Sequence, residues 1–165
     1  MEEKRKVISG YAIVFGSKSK IYRDRNTPCW EVIEPGAISQ NLLNQMDIRC
    51  LFEGNSNKLL SRSRKGVGSL KLSIDRIGLR FEFDVPNTEV GVSTYELVKR
   101  GDITGMNAKY TAKYNTKKDD VYEIRHINKI DRLFSISITS NPTFTKTSVR
   151  VQNYSDSIGA LRQLI

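Results

Sequence analysis

The sequence is poor in the residues that most often build catalytic and structural sites. Its 165 residues include one histidine, His126, and two cysteines, Cys29 and Cys50. Two cysteines cannot make the disulfide framework of a small secreted domain, and neither lies at zinc-site spacing from a second Cys or from the histidine. We therefore expect two reduced thiols, no metal site and no bound cofactor.

Long apolar runs are also missing. The N-terminal stretch 1–16 is charged at positions 2–6 and lacks the apolar core of a signal peptide. No run approaches the roughly 20 apolar residues that a membrane-spanning helix needs. This pattern predicts an intracellular protein that is not secreted and has no membrane partner.

Acidic residues are outnumbered by basic ones. The chain has 27 Lys and Arg against 18 Asp and Glu, a net charge of +9, which is enough to attract polyanions unspecifically. The basic residues are scattered, however, and form no zinc finger, ribonucleoprotein motif or basic zipper. We expect nucleic acid to bind only unspecifically, although a basic nucleic-acid-binding barrel remains an alternative interpretation.

The sequence does contain many short stretches of alternating apolar and polar residues. The clearest are two runs, 67–74 and 79–85, joined by the turn "DRIG", which predict a hairpin. Similar patterns predict strands at 4–16, 47–52, 106–115, 121–127 and 133–139, and the polar stretch 17–28 predicts a loop.

Helical patterns occur in three places: after Pro35-Gly36, after a cap at Asn87 or Thr88, and at about 155–165. Many strands with few helices disfavour a parallel βαβ winding. We predict a single domain over 1–165, mostly β with α. Its expected architecture is a closed or nearly closed antiparallel β-barrel flanked by about three helices.

Five stretches, in order, carry a resemblance to a known family: "GYAIVFG", "EVIEPGAI", "GSLKLSIDRIGLRFEFDVPNT", "ELVKRGDITGM" and "SISITSNPTFTKT". Together they resemble the prohead proteases of tailed phages, which are procapsid-maturation serine peptidases related in fold to the herpesvirus assemblins. The resemblance implies a β-barrel peptidase fold and a role in capsid assembly.

The resemblance also implies where a catalytic triad would lie, and this chain departs from it. A serine nucleophile is expected after the Gly-Met of "RGDITGM", where the chain has Asn107, and a histidine base where it has Gly54. The third, orienting position falls at Ser135, where relatives often have Glu. An amide is a poor nucleophile and glycine cannot accept a proton. We therefore expect no catalytic residues in this chain. We also expect Gly54 and Asn107 to lie near one another in the folded protein.

Two residues are candidates for a rearranged site, Cys50 and His126. The apolar neighbours of Cys50 favour a packing role, and a lone histidine in a strand is usually structural. The preferred interpretation is a catalytically inactive, prohead-protease-like protein. It would bind capsid protein or its scaffold segment in the cytoplasm of a bacterial host, within or on procapsids. An active peptidase that processes a capsid or scaffold precursor is the alternative.

The predicted C-terminal helix raises the question of a homodimer. Its apolar residues Ile158, Leu161 and Ile165 fall on one side. Assemblins are commonly dimeric, and this side would either pair two copies in the same way or cap the barrel of its own chain.

Overall fold

The computed structural model describes residues 4–118 and 121–154. The described chain is mostly β, with two helices, α1 Gln40–Leu43 and α2 Glu89–Arg100. In chain order, its strands are β1 Arg5–Val14, β2 Tyr22–Asp24, β3 Thr27–Ile33, β4 Asp47–Phe52, β5 Asn55–Arg64, β6 Val67–Gly68, β7 Lys71–Ile74, β8 Gly78–Asp84, β9 Gly105–Lys118, β10 Glu123–Thr139 and β11 Ser148–Tyr154.

The first sheet has four antiparallel strands in the order β11-β1-β8-β7. Alternating residues of β1 and β8 point into the core, where Ile8, Phe81 and Phe83 are almost fully buried. Gly10 of β1 packs directly on β11, since a Cβ at this position would lie 2.0 Å from the carbonyl oxygen of Ser148. Only glycine permits this close approach of the two strands.

The second sheet is organised around the long strand β10. One edge of β10 pairs antiparallel with β9 over nearly its whole length. The other edge pairs in parallel with β3 near its start and with β4 near its end, and β5 and β6 continue the sheet beyond β4. The inward residues of β10, Ile130, Ile136 and Ile138, are fully buried against the first sheet's apolar face.

Helix α2 closes one side of the core with Tyr95 and Val98. Its N-terminus is capped by Thr88, whose hydroxyl accepts a hydrogen bond from the Gly91 N–H at 3.1 Å. Gly101 ends the helix in the left-handed conformation, with φ of 82°. The predicted cap and end of this helix are confirmed, and so is the hairpin across "DRIG", formed by β7 and β8. Its first strand is shorter than the predicted run 67–74, because residues 67–68 form β6 and pair with β5 in the second sheet.

The closed or nearly closed antiparallel barrel is not confirmed. In the described residues, hydrogen bonding divides the strands into two separate sheets, and the pairings of β10 with β3 and β4 are parallel. The predicted strands 121–127 and 133–139 are one continuous strand, β10. The third predicted helix, at about 155–165, and the dimer contact proposed for it lie outside the described residues.

Two further strands were not expected. The predicted loop 17–28 contains β2 and the start of β3, which form a hairpin, and the polar stretch 55–64 is β5. Their polar side chains gave no clear alternation because much of both strands faces solvent. No helix in the described part of the chain combines the length and apolar character needed to cross a membrane.

Candidate functional site

Gly54 lies in the tight turn between β4 and β5. Glu53 and Gly54 both have left-handed backbones, with φ of 51° and 68°, and Phe52 and Asn55 pair on either side of them. Two successive positive φ values are typical of a two-residue type I′ hairpin. The turn is held against the end of β10, because the Glu53 N–H donates to the Ile138 carbonyl at 2.8 Å.

Asn107 lies across β10 from this turn. On one edge of β10, Ser137 pairs with Asn107 of β9, and on the other edge it pairs with Leu51 of β4. A Cβ built on Gly54 would lie 4.0 Å from the Ser137 hydroxyl oxygen. The structure thus brings the two positions, which are far apart in sequence, to either side of one serine.

Ser135 lies one step further along the same face of the sheet. It pairs with Lys109 and with Arg49, whereas Ser137 lies directly beside Asn107. Both serine residues are only 6% exposed. Sequence reasoning named Ser135 and missed Ser137, although the two-residue period of "FSISIT" places both serines on one face.

Positively charged side chains lie beside Ser135, Ser137 and Asn107. Arg62 of β5 makes a bidentate ion pair with Asp47, at 2.8 and 2.5 Å, and this contact lowers the pKa of the carboxyl. Its neighbour Arg49 and, beyond Ser135, Lys109 form no ion pair with a described residue. The face around Ser135 and Ser137 is therefore suited to an acidic group.

The side chain of Asn107 ties β9 to the loop that follows β10. Its Oδ1 accepts a hydrogen bond from the Thr143 N–H at 2.8 Å, and its Nδ2 donates to the Asn141 carbonyl at 3.4 Å. Pro142 packs on Gly105, where a Cβ would lie 2.5 Å from the proline ring. The amide thus has a defined structural role that a serine hydroxyl, which is shorter, cannot fill in the same way.

Glu53 holds the other side of this loop and was missed by sequence reasoning. Its carboxylate accepts a hydrogen bond from the Ser140 N–H at 2.5 Å and lies 3.5 Å from the Ser140 hydroxyl. Glu53 and Asn107 therefore fix residues 140–143 from opposite sides. No sequence signal links these residues, because the contacts join segments that are distant along the chain.

Neither His126 nor Cys50, the two candidates for a rearranged site, can act at Ser135, Ser137 or Asn107. His126 contacts Glu34, with Nδ1 2.5 Å from the carboxylate, and it pairs with Asn115 of β9. Asn115 lies eight residues along β9 from Asn107, roughly 26 Å at the rise of a strand. The histidine is therefore too far away to act as a base at Asn107.

Cys50 is fully buried on the opposite, inward face of β4. Burial raises the pKa of its thiol to about 12, which leaves almost no thiolate at neutral pH. It is not available as a nucleophile in the folded protein. Among the described residues, no three His, Cys, Asp or Glu side chains come together as a metal site.

Comparison with known proteins identifies the family of this chain. The chain matches the family of the caudovirus prohead serine protease over residues 1–159. No curated protein matches the sequence significantly. The match spans nearly the whole chain, and the protein therefore belongs to the prohead serine protease family, whose members act in phage capsid maturation.

Proposed function

We propose that this protein is a catalytically inactive member of the prohead protease family that acts in capsid assembly by binding capsid protein or its scaffold segment. The observation that carries the proposal is the side chain at the nucleophile position. The Asn107 amide has no hydroxyl to deprotonate, and both of its polar atoms are engaged by residues 141–143.

The surroundings of Asn107 support the same conclusion. Hydrolysis by a serine peptidase needs a nucleophile, a base within hydrogen-bond reach and a group that orients the base. Beside Asn107 the chain has Ser137 and, across β10, the glycine of a hairpin turn. The hydroxyl of Ser137 has no imidazole near it, since the chain's single histidine lies toward the other end of β10.

A binding function is consistent with what the fold retains. Hairpin turns, helix caps and a continuous buried core are all present, so the sequence specifies a well-ordered domain. Its excess of positive charge favours an acidic partner surface, as do Arg49 and Lys109, which form no ion pair with any residue that the structure describes. The proposed place of action is the assembling procapsid in the host cytoplasm.

The test is co-expression with the capsid protein and scaffold of the same genetic element. We expect the protein to copurify with assembling particles, and we expect intact masses of the capsid and scaffold chains. Particles of identical yield, size and composition with and without the protein would refute the binding function and would direct attention to nucleic acid as the partner.

The alternative, an active peptidase with a rearranged site, is decided by the same mass measurement. Cleavage of the capsid precursor by the unaltered chain would establish activity, and its loss in Cys50→Ala or His126→Ala would identify the replacement residue. Salt provides a second check on binding. If the partner surface is acidic, added salt will slow association more than it accelerates dissociation.

A further inference from the structure

A surface on the β2–β3 hairpin lies toward the opposite end of β10 from the candidate site. β2 pairs antiparallel with β3, and β3 pairs in parallel with the first residues of β10. In this register Trp30 lies beside Ile124 and Val32 lies beside His126, so the four side chains share one face of the sheet. Ile127, the next residue of β10, packs in the core. The shared face therefore points away from the core.

Two further side chains extend this face and expose apolar surface on it. Tyr122, which is 37% exposed, packs on Trp30 with their ring centroids 5.0 Å apart. Ile21, directly before β2, is 60% exposed. The hydroxyl of the next residue, Tyr22, donates to the Glu31 carboxylate on the other side of the sheet, so Ile21 lies on the Trp30 side. We call this surface the hairpin face; it consists of Ile21, Trp30, Val32, Tyr122, Ile124 and His126.

Basic side chains surround the apolar centre of the hairpin face. The Lys18 Nζ lies 4.7 Å from the centre of the Trp30 ring. Arg23 belongs to β2 and Lys117 to β9, on opposite sides of the face. All three basic residues are exposed, and none forms an ion pair with a described residue. An apolar centre inside a basic rim complements an apolar surface that is flanked by acidic residues.

We infer that the hairpin face binds an acidic, amphipathic helix of the scaffold segment. This inference rests on the proposed binding function and specifies where and how the partner is held. From β2 to β9 the face crosses three strand spacings, about 14 Å at about 4.8 Å each. A helix with its side chains is about 10–12 Å across. One helix therefore fits with its apolar side on Trp30 and with its acidic residues toward Arg23 and Lys117.

Other occupants fit the hairpin face less well. Single-stranded nucleic acid stacks its bases on free aromatic rings, whereas Lys18 and Tyr122 both contact the Trp30 ring. A second copy of the chain would bring two basic rims together, and the Glu34 carboxylate at the margin is already engaged by His126. A single helix can dock only if it is not packed in a folded domain, which favours the scaffold segment over the folded shell of the capsid protein.

Tryptophan fluorescence tests the inference on the unaltered protein, because Trp30 is the chain's single tryptophan. The probes are overlapping synthetic peptides of about 20 residues, long enough to form a helix, with any tryptophan replaced by phenylalanine. They span the scaffold segment and the capsid shell, and an oligothymidylate at physiological salt is the nucleic-acid probe. We expect at least one acidic, amphipathic scaffold peptide to shift the Trp30 emission to shorter wavelength. No shift with any scaffold peptide would overturn the inference, whether or not a shell peptide or the oligonucleotide gives one.

Two double variants with the same amino-acid changes provide a matched comparison. Ile21→Ser with Arg23→Glu alters the hairpin face, and Ile77→Ser with Arg76→Glu alters the exposed "DRIG" turn in the first sheet. The two isoleucines are 60% and 52% exposed, and both arginines are exposed. We expect the hairpin variant to bind the scaffold peptide at least roughly tenfold more weakly and the turn variant to bind within about twofold of the unaltered protein. Equal binding by both folded variants would contradict the inference, and the fluorescence of the unaltered protein decides the matter if the hairpin variant does not fold.

Entry into particles separates this inference from the proposed function. On co-expression with capsid protein and scaffold, the turn variant should copurify with particles as the unaltered protein does, and the hairpin variant should be largely lost from them. If both variants enter particles equally, the inference is wrong and the proposed function stands. If the unaltered protein does not enter particles, both fail. Sedimentation covers the remaining occupant, since a dimer that only the hairpin variant abolishes would assign the face to a second copy and overturn the inference.

Discussion

Replacing Asn107 by alanine measures the structural role of the residue at the position where the resemblance places the nucleophile. The substitution removes the 2.8 Å hydrogen bond from the Thr143 N–H and the longer 3.4 Å bond to the Asn141 carbonyl. A typical hydrogen bond contributes about 0.5–1.5 kcal/mol net, and the long bond belongs at the lower end of that range. We therefore expect a loss of about 1–2 kcal/mol in the free energy of unfolding.

For a chain of this size, 1 kcal/mol lowers the melting temperature by about 2–4 °C, so the expected fall is about 2–8 °C. Thermal unfolding followed by circular dichroism and calorimetry measures it. Asn107→Asp is the matched control, since it keeps an acceptor for the Thr143 N–H and loses only the donor to Asn141. We expect Asn107→Asp to lose less stability than alanine.

The serine that the resemblance to prohead proteases leads us to expect at this position gives a third variant. Asn107→Ser shortens the side chain and should lose nearly as much stability as alanine, because one hydroxyl cannot span both partners. The explanation fails if alanine melts within 1 °C of the unaltered protein, or if the aspartate variant is no more stable than the alanine variant.

Three other predictions concern catalysis, the buried thiol and strand packing. Gly54→His combined with Asn107→Ser should restore trace cleavage of a capsid precursor by mass measurement, and neither change alone should, because each role is empty without the other. Because the backbone at position 54 is left-handed, a histidine there will lower the free energy of unfolding by about 1 kcal/mol. With a thiol pKa near 12, Cys50 should resist labelling by a disulfide reagent at pH 8 until the protein is unfolded, and rapid labelling of the native protein would contradict its burial. Gly10→Ala should lower the free energy of unfolding in urea by more than 2 kcal/mol, roughly the upper range for one substitution, because the added Cβ would overlap the Ser148 carbonyl. An unchanged midpoint of urea unfolding would refute the close packing of β1 on β11.

Local signals in the sequence determined several elements correctly. The turn "DRIG" predicts the β7–β8 hairpin because the Asp75 carboxylate accepts hydrogen bonds from the N–H groups of Ile77 and Gly78, at 2.8 and 3.0 Å. Thr88 and Gly101 mark the ends of α2 for equally local reasons. The motif stretches also identified the family, because their order and spacing are properties of the sequence itself.

The sequence was less informative where strands are polar or where pairing is between distant segments. It predicted two strands where β10 is continuous, and it missed β5, since neither the charged middle of β10 nor the polar start of β5 shows alternation. It also predicted antiparallel pairing throughout, whereas β3 and β4 join β10 in parallel. Such pairings depend on which edges are free after the rest of the sheet has formed.

The candidate site, like the fold, could be predicted from the sequence only in part. From the sequence alone, the resemblance to prohead proteases leads us to expect a serine nucleophile at position 107 and a histidine base at position 54, where this chain has Asn107 and Gly54. Only the tertiary structure shows that Ser137 lies between these positions, that the Asn107 amide holds residues 141–143, and that the β2–β3 hairpin exposes an apolar face. The physical reason is that each of these features is a contact or a missing contact between strands far apart in the chain. Sheet register, which sets them, results from packing of the whole core and not from any local motif.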